Sequence, residues 1–217
     1  MPEPADTPPE RTVLIGKAIS KLVSRAPWAW PLVKGRVGHF FDESARGWDE
    51  RTGSGSADHL AALAAAVAKL KDRPESVLDI GCGTGSGTLF LAREFPTARI
   101  RGVDLSEAMI NEANRKIGLD PEARVAFRVG DASKLPWPDG HFDLVAQVNM
   151  PVFFKEVDRV LRPGGHVAIT SSLGMDTPFS TPHDLLEKRF ARLGIEMVET
   201  GDTGPGTWFL ARKVGGS

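Results

Sequence analysis

Val77-Leu-Asp-Ile-Gly-Cys-Gly-Thr-Gly-Ser-Gly87 is the stretch on which the fold turns. Val77 to Ile80 is short and apolar enough for a buried strand. Gly81, Gly83 and Gly85 mark a tight turn, and a helix follows through Leu89-Phe-Leu-Ala92. Glycine has no Cβ, so such a turn bends sharply and lets a ligand approach the backbone. A dinucleotide fingerprint would run G-x-G-x-x-G, with a pyrophosphate on the helix N-terminus. Here the spacing is G-x-G-x-G, and Ser86 and Thr88 stand where the longer step would need glycine. Asp79, two residues before the first glycine, is poor company for a pyrophosphate and good company for an ammonium group. Its alternative role is to cap the turn.

The same texture continues downstream. Ile100 to Val103 reads as a strand, and Ser106 as the cap of a helix that Gly118 ends. Val125 to Val129 and Phe142 to Ala146 are further strands. A helix from Val152 to Leu161 should stop at Arg162-Pro-Gly-Gly165, before a strand from His166 to Ser171. Thr181-Pro-His-Asp184 has the form of a capping box for a helix ending at Gly194. Ile195 to Glu199 and Thr207 to Arg212 form an expected antiparallel pair. Strand–helix alternation predicts an α/β chain with a mostly parallel sheet and helices on both faces. Ligands of such folds bind at the carboxyl ends of the strands.

Upstream, Leu14, Ile15, Ala18, Ile19, Leu22 and Val23 have helical spacing over 11–25. Pro27 and Pro31 are expected to break it, with a short helix over 37–48. Ser56 should cap a helix from Ala57 to Lys71. The chain thus divides into a disordered tail (1–10), a helical lid (11–55) and the main domain (56–217).

With 217 residues, 41% apolar, 25% charged and a net charge of −1, the composition is that of a soluble globular protein. No overall basic character attracts nucleic acid or acidic membranes; such binding needs a local patch. The single cysteine, Cys82, excludes an internal disulfide and suits a reducing compartment. Five scattered histidines predict no metal site. No apolar run reaches the length of a membrane span, and the acidic, proline-rich start is unlike a signal peptide, so a cytoplasmic location is expected.

Two more acids follow strands. Asp104 is placed to accept bonds from ribose hydroxyls, an arrangement that also fits a nicotinamide dinucleotide. Asp131, in Gly130-Asp-Ala132, can accept from the exocyclic amine of an adenine or simply serve a turn. Three acids on one sheet edge suit a cationic nucleoside better than a phosphorylated one.

These stretches resemble the class I S-adenosylmethionine-dependent methyltransferases, in particular the small-molecule type related to the ubiquinone and menaquinone biosynthesis enzymes. The resemblance covers about 76–212. It rests on Asp79-Ile-Gly-Cys-Gly-Thr-Gly85, Asp104-Leu-Ser106, Gly130-Asp-Ala132, Leu135-Pro-Trp-Pro-Asp-Gly-His-Phe-Asp143 and Arg159-Val-Leu-Arg-Pro-Gly-Gly165. It implies a Rossmann-like, doubly wound seven-stranded sheet of order 3-2-1-4-5-7-6, strand 7 antiparallel. It further implies that Asp79, Gly81, Cys82, Gly83 and Gly85 receive the methionine part of S-adenosyl-L-methionine. Asp104 would take the ribose, Leu105 the adenine's flank, and Asp131 and Ala132 the adenine. Met109 would cover the adenine or belong to its helix's core. Gln147 would face the methyl group.

The implied activity is methyl transfer to a small organic acceptor. Alternatives are a non-catalytic module binding the same cofactor, a nicotinamide oxidoreductase, and a nucleic-acid amine methyltransferase suggested faintly by Asn149-Met-Pro-Val152. No nucleic acid is expected, and the chain is read as a monomer or homodimer. General-base candidates are His39, His183 and Asp49, with His141 behind them; each histidine has a structural or surface role as its alternative. Relatives often carry Tyr-Asp steps near the N-terminus, where this tyrosine-free chain has Phe41-Asp42 and Trp48-Asp49. The basic, tryptophan-bearing stretch 11–38 reads as a lid or dimer contact, as a peripheral membrane contact, or as a plain solvated helix.

Overall fold

A computed structural model describes residues 10–120 and 122–215. Within them lies a seven-stranded sheet: β1 (Ser76–Ile80), β2 (Arg99–Asp104), β3 (Val125–Val129), β4 (Phe142–Val148), β5 (Leu161–Ser171), β6 (Ile195–Thr203) and β7 (Gly206–Lys213). Their order is β3-β2-β1-β4-β5-β7-β6, as the resemblance implied. β1 to β5 pair in parallel, and β7 runs antiparallel to both β5 and β6. The order reverses between β1 and β4, where Ile80 lies beside Gln147. That switch point opens a crevice at the strands' carboxyl ends.

The sheet is covered on both faces, which is why its central strands are largely apolar. Alternate residues of β1 feed two cores. Leu78 and Ile80 join Val145, Val167 and Phe209 on one face, where Phe154 of α7 (Phe154–Val160) and Phe190 of α8 (His183–Ala191) pack. Val77 joins Leu144, Ala168 and Leu210 on the other, under α4 (Ala57–Val67) and α5 (Ser86–Glu94). Three more helices lie toward the N-terminus: α1 (Glu10–Arg25), α2 (Trp30–Ser44) and α3 (Trp48–Thr52). Val23 and Trp30 bury themselves in the first core.

Several boundaries differ from the sequence reading. Pro31 does not break a helix; it stands in the first turn of α2, where its missing N–H has no partner to lose. Pro27 opens a 3₁₀ turn, Pro27–Ala29. The helix expected over 37–48 is therefore the second half of α2, which ends at Ser44, followed by α3 after Gly47 turns through φ +67°. α4 stops at Val67 rather than Lys71, although Ser56 does cap it, accepting from His59 N. α6 (Glu107–Arg115) begins with the expected Ser106 cap and ends short of Gly118. α7 begins at Phe154, two residues later than read.

The Thr181 capping box does not form. The carbonyl of Pro182 accepts from Leu185 and Leu186 N–H, so Pro182 is the cap residue, α8 starts at His183, and Thr181 Oγ1 is left buried without a partner. Arg162-Pro-Gly-Gly165 is a bulge rather than a separate loop. β5 already pairs at Leu161↔Phe142 and re-engages at His166↔Leu144, so four residues are extruded opposite Asp143. The tail expected over 1–10 lies outside the described residues, save Glu10, at which α1 begins. Among the described residues no helix is long and apolar enough to cross a membrane, and no group of His, Cys, Asp and Glu could hold a metal ion.

Candidate cofactor site

The glycine turn is stapled to the neighbouring strand. Gly81 and Cys82 both donate their N–H to Val103 O, at 2.8 and 3.1 Å. Gly81, Gly83 and Gly85 have φ of +71°, +52° and +83°, the left-handed region that glycine enters without penalty. Space matters as well as angle. A Cβ on Gly85 would lie 2.6 Å from Phe127 Cζ, and one on Gly81 would collide with the Met150 thioether. Above Gly83 nothing lies within 4 Å, so the crown of the turn is open to a ligand.

Asp104 ties the second strand to this turn. Its Oδ2 accepts from Gly83 N and its Oδ1 from Ser106 N, both at 2.9 Å. Burial pushes its carboxyl up, against the N–H bonds from Ser106, Gly83 and Leu105. An ionised carboxylate has about four acceptor positions, so acceptor capacity remains beside these N–H groups for a ligand hydroxyl.

Asp79 is only 2% exposed, and its Oδ2 accepts from Thr88 Oγ1 at 2.6 Å. Burial pushes its carboxyl up to about 6; the Thr88 bond opposes this and the Asp104 charge adds to it. Its contact is thus with α5 and not with the backbone of the turn. Gly87 makes room for it, since a Cβ there would stand 3.2 Å from Asp79 Oδ2. No sequence signal marks this task of the fourth glycine, because Asp79 lies eight positions away.

Asp131 is engaged by the N-terminal helix. Its Oδ1 accepts from Trp30 Nε1 at 2.9 Å and from Ser133 N at 2.8 Å, and its Oδ2 from Lys34 Nζ at 2.9 Å. Burial opposes the charge, but the Lys34, Ser133 and Trp30 bonds outweigh it and hold the carboxyl below its ordinary range. Sequence alone showed that Trp30 and Lys34 lay in a basic segment, not that they reach this acid.

The other expected cofactor residues gather nearby with different degrees of freedom. Gln147 is fully buried; its Nε2 lies 3.7 Å from Met150 Sδ and its Oε1 has no partner. Leu105 is half-buried and flanks Gly38 of α2. Met109 and Ala132 are buried, and Cys82 is a buried thiol whose pKa burial pushes up.

Asp42 and Asp49 tie the N-terminal helices down. Asp42 Oδ1 accepts from Ser106 Oγ at 2.6 Å and from Ala108 N at 3.2 Å, adding a second cap to α6. Asp49 Oδ1 accepts from Thr84 Oγ1 at 2.5 Å inside the glycine turn, and its other oxygen pairs with Lys116. Asp49 is thus a clamp on the turn. His39 is exposed on α2, 3.3 Å from Glu43. His183 sits at the start of α8 with Nδ1 2.5 Å from Thr200 Oγ1 and Nε2 3.0 Å from Thr207 Oγ1. His141 lies edge-on to Phe142 at the opposite, amino end of β4.

The N-terminal helices meet the loop that follows β5. Gly16 of α1 meets Pro178 so closely that a Cβ would lie 2.5 Å from it, and the Phe41 and Phe179 rings are 6.1 Å apart. Asn149, with φ +54°, clasps the same loop: its Nδ2 donates to Ser172 Oγ and its Oδ1 accepts from Ser172 N, both at 2.8 Å.

Comparison with known proteins agrees with this geometry. Residues 77–165 match the family model of a methyltransferase domain. The chain is 42% identical over 103 residues to a fatty-acid O-methyltransferase of Mycolicibacterium smegmatis, covering 44% of this chain and 36% of that protein. It is 34% identical over 139 residues to a demethylmenaquinone methyltransferase of Symbiobacterium thermophilum, covering 59% and 51%. It therefore spans about a third to a half of these two relatives' own lengths. A solved S-adenosylmethionine-dependent methyltransferase from Aquifex aeolicus superposes with a TM-score of 0.60 at 20% identity, over 74% of this chain and 95% of that one. The [4+2]-cyclase SpnF superposes with a TM-score of 0.66 at 22% identity, over 83% and 96%. These two likenesses are of fold, and a fold hosts more than one chemistry. The matched stretch and the strand order together give the chain the fold of the S-adenosylmethionine-dependent methyltransferases, with an open glycine turn and its acids at the strands' carboxyl ends.

Proposed function

We propose that the chain transfers a methyl group from S-adenosyl-L-methionine to a small organic acceptor. The observation that carries this reading is the open crown of Gly83 beside the buried Asp79 and the half-buried Asp104, with the unpartnered Gln147 Oε1 at the switch point. Asp79 offers a counter-charge to the donor's ammonium group. Asp104 offers its remaining acceptor capacity to the ribose hydroxyls, and Asp131 its own to the adenine amine. Leu105 and Met109 contribute apolar cover. Gln147 holds the methionine end near the reacting methyl.

The donor supplies a methyl on a sulfonium, whose leaving group is a neutral thioether. The protein therefore needs no acid to expel it. Its work is to align acceptor and methyl and to exclude water. We assign the covering role to residues 11–55, tied down through Asp42, Asp49 and Trp30, over a main domain of 56–217. The acceptor would enter between α1, α2 and the loop 172–182. His183 and Asp49 are committed to other partners, so neither is assigned as a general base. A relative named as a fatty-acid O-methyltransferase and another as a demethylmenaquinone methyltransferase support an organic acceptor of modest size. We place the protein in the cytoplasm.

Methylation of nucleic-acid amines is disfavoured because both ends of the Asn149 amide are taken up by Ser172. Calorimetric titration with S-adenosylmethionine, S-adenosylhomocysteine and NAD tests the cofactor; the first two should bind and the third should not. Release of S-adenosylhomocysteine with a panel of carboxylic acids, phenols and quinols then tests turnover. Donor binding with no release under any acceptor would leave a non-catalytic module.

A further inference from the structure

The outer face of the N-terminal helices combines exposed apolar side chains with exposed lysine and arginine side chains. Trp28 is 79% exposed, Leu32 77%, Leu14 67% and Phe40 50%. Trp28 leads a four-residue series, Trp28, Leu32, Arg36 and Phe40, that runs along one side of the 3₁₀ turn and α2, all of it exposed. Its neighbour Trp30 points the opposite way, into the core and onto Asp131. Trp28, alone among the five tryptophans, is exposed. The outer side of α1 carries Leu14, Ala18, Lys21 and Arg25, with Ile15 and Lys17 beside them, again exposed.

The exposed charge of this segment is mostly of one sign: Lys17, Lys21, Arg25 and Arg36 are exposed cations, Lys34 is paired with Asp131, and Glu43 is an exposed acid at the end of α2. Between positions 11 and 41 there are six Lys and Arg residues and no Asp or Glu. The first acid afterwards, Asp42, directs its carboxylate to the N-terminus of α6. The whole chain is nearly neutral at −1, so this is a local field and not a property of the protein at large.

We infer that this face docks on an anionic lipid surface. Lysine and arginine side chains meet lipid headgroups while tryptophan and leucine enter the interface below them, the pattern of a helix that lies on a membrane without crossing it. A second copy of the chain is a poorer occupant. A two-fold contact through the same face would set cations against cations. The inference concerns the outside of the lid and does not depend on methyl transfer at its inside.

Flotation of the full chain with vesicles tests it. Vesicles containing phosphatidylglycerol should carry the protein upward at low salt, with a blue shift of Trp28 emission, and phosphatidylcholine vesicles should not. Raising salt from about 0.05 to about 0.5 M, which shortens the screening length, should release most of it. Trp28→Ser with Leu32→Ser should lower partitioning about tenfold or more. Both residues are exposed, so the melting temperature and far-ultraviolet spectrum should not change. Lys21→Glu with Arg25→Glu should abolish the low-salt binding.

Failure to float with anionic vesicles at low salt would overturn the inference, as would equal flotation of the serine variant. Sedimentation showing a dimer that the serine substitutions dissociate would assign the face to self-association. Retention of duplex DNA by the native chain under conditions where vesicles are ignored would assign it to nucleic acid.

Discussion

Trp30 donates its indole N–H to Asp131 Oδ1 across 101 positions of sequence, at 2.9 Å. The ring also stands edge-on to Phe153, with centroids 5.2 Å apart. One side chain thus joins α2 to the carboxyl end of β3 by a bond to a charged acceptor and to the core by burial. Trp30→Phe removes the N–H and keeps an aromatic ring. It should cost about 1–3 kcal/mol in chemical denaturation, the range for a bond to a charged group. Asp131→Ala should cost more, because it also strands Lys34, and should weaken donor binding. The depressed Asp131 carboxyl contributes stability that is present above the ordinary carboxylate range and is lost as pH falls through its folded value. Asp131→Asn should therefore shorten the acid limb of the stability curve.

Asp79 sets stability against binding. Its folded pKa of about 6 lies above the ordinary 3.8, so the folded chain binds the proton more tightly than the unfolded chain does. Stability from this group is full below pH 3.8 and declines as pH rises through about 6. Asp79→Asn should consequently leave the empty protein more stable at pH 8, by roughly 2–3 kcal/mol. The same variant should bind S-adenosylmethionine at least about tenfold more weakly, for want of a counter-charge. In the native chain, donor affinity should drop as pH falls below about 6. Denaturation at pH 5 and pH 8, beside calorimetric titration at both, checks each half. A variant less stable at pH 8 and unchanged in affinity would refute the assignment.

Asp104 has two tasks, and two substitutions separate them. Asp104→Asn keeps an acceptor for one of the N–H groups of Gly83 and Ser106 but loses the charge and one acceptor site. Asp104→Ala releases both N–H groups and loosens the glycine turn. Donor affinity should fall about tenfold in the first and further in the second, by about 1–3 kcal/mol for each buried N–H left unpaired. Unaltered titration curves for Asp104→Ala would remove it from the site.

His183 is a structural residue on this geometry. Thr200 Oγ1 donates to Trp208 O at 2.8 Å and so accepts from Nδ1–H, which leaves Nε2 as an acceptor facing Thr207 Oγ1, whose one proton also has Gly201 O within reach at 3.2 Å. A neutral imidazole fits these partners, and burial lowers its pKa. Its stabilising contribution is present above pH 6.5 and is lost as pH falls through the lowered value. His183→Ala should destabilise the β6–β7 end by about 1–3 kcal/mol. Once an acceptor is known, the pH profile of kcat should keep its shape in this variant.

The sheet and its turn were legible because their signals are local. Four glycines at 81, 83, 85 and 87 after an apolar tetrapeptide leave few conformations besides a strand, a left-handed turn and a helix. Ser56 and Ser106 cap helices within three residues of themselves, so their roles could be read directly. The capping box at Thr181 misled for the same local reason. Pro182 itself supplied the cap carbonyl and moved the helix start by one position.

By itself the chain of residues determined a mostly parallel α/β sheet, a glycine turn after its first strand and the placing of Asp79, Asp104 and Asp131 at one edge, since each acid lies at or just past the end of its own strand. Only the tertiary structure decided what those carboxylates touch. Asp131 meets Trp30 and Lys34, Asp49 meets Thr84, and Asn149 meets Ser172, partners separated by 23 to 101 positions. Hydrogen bonds form between groups that packing brings within 3 Å, and no period or motif in a sequence encodes that distance.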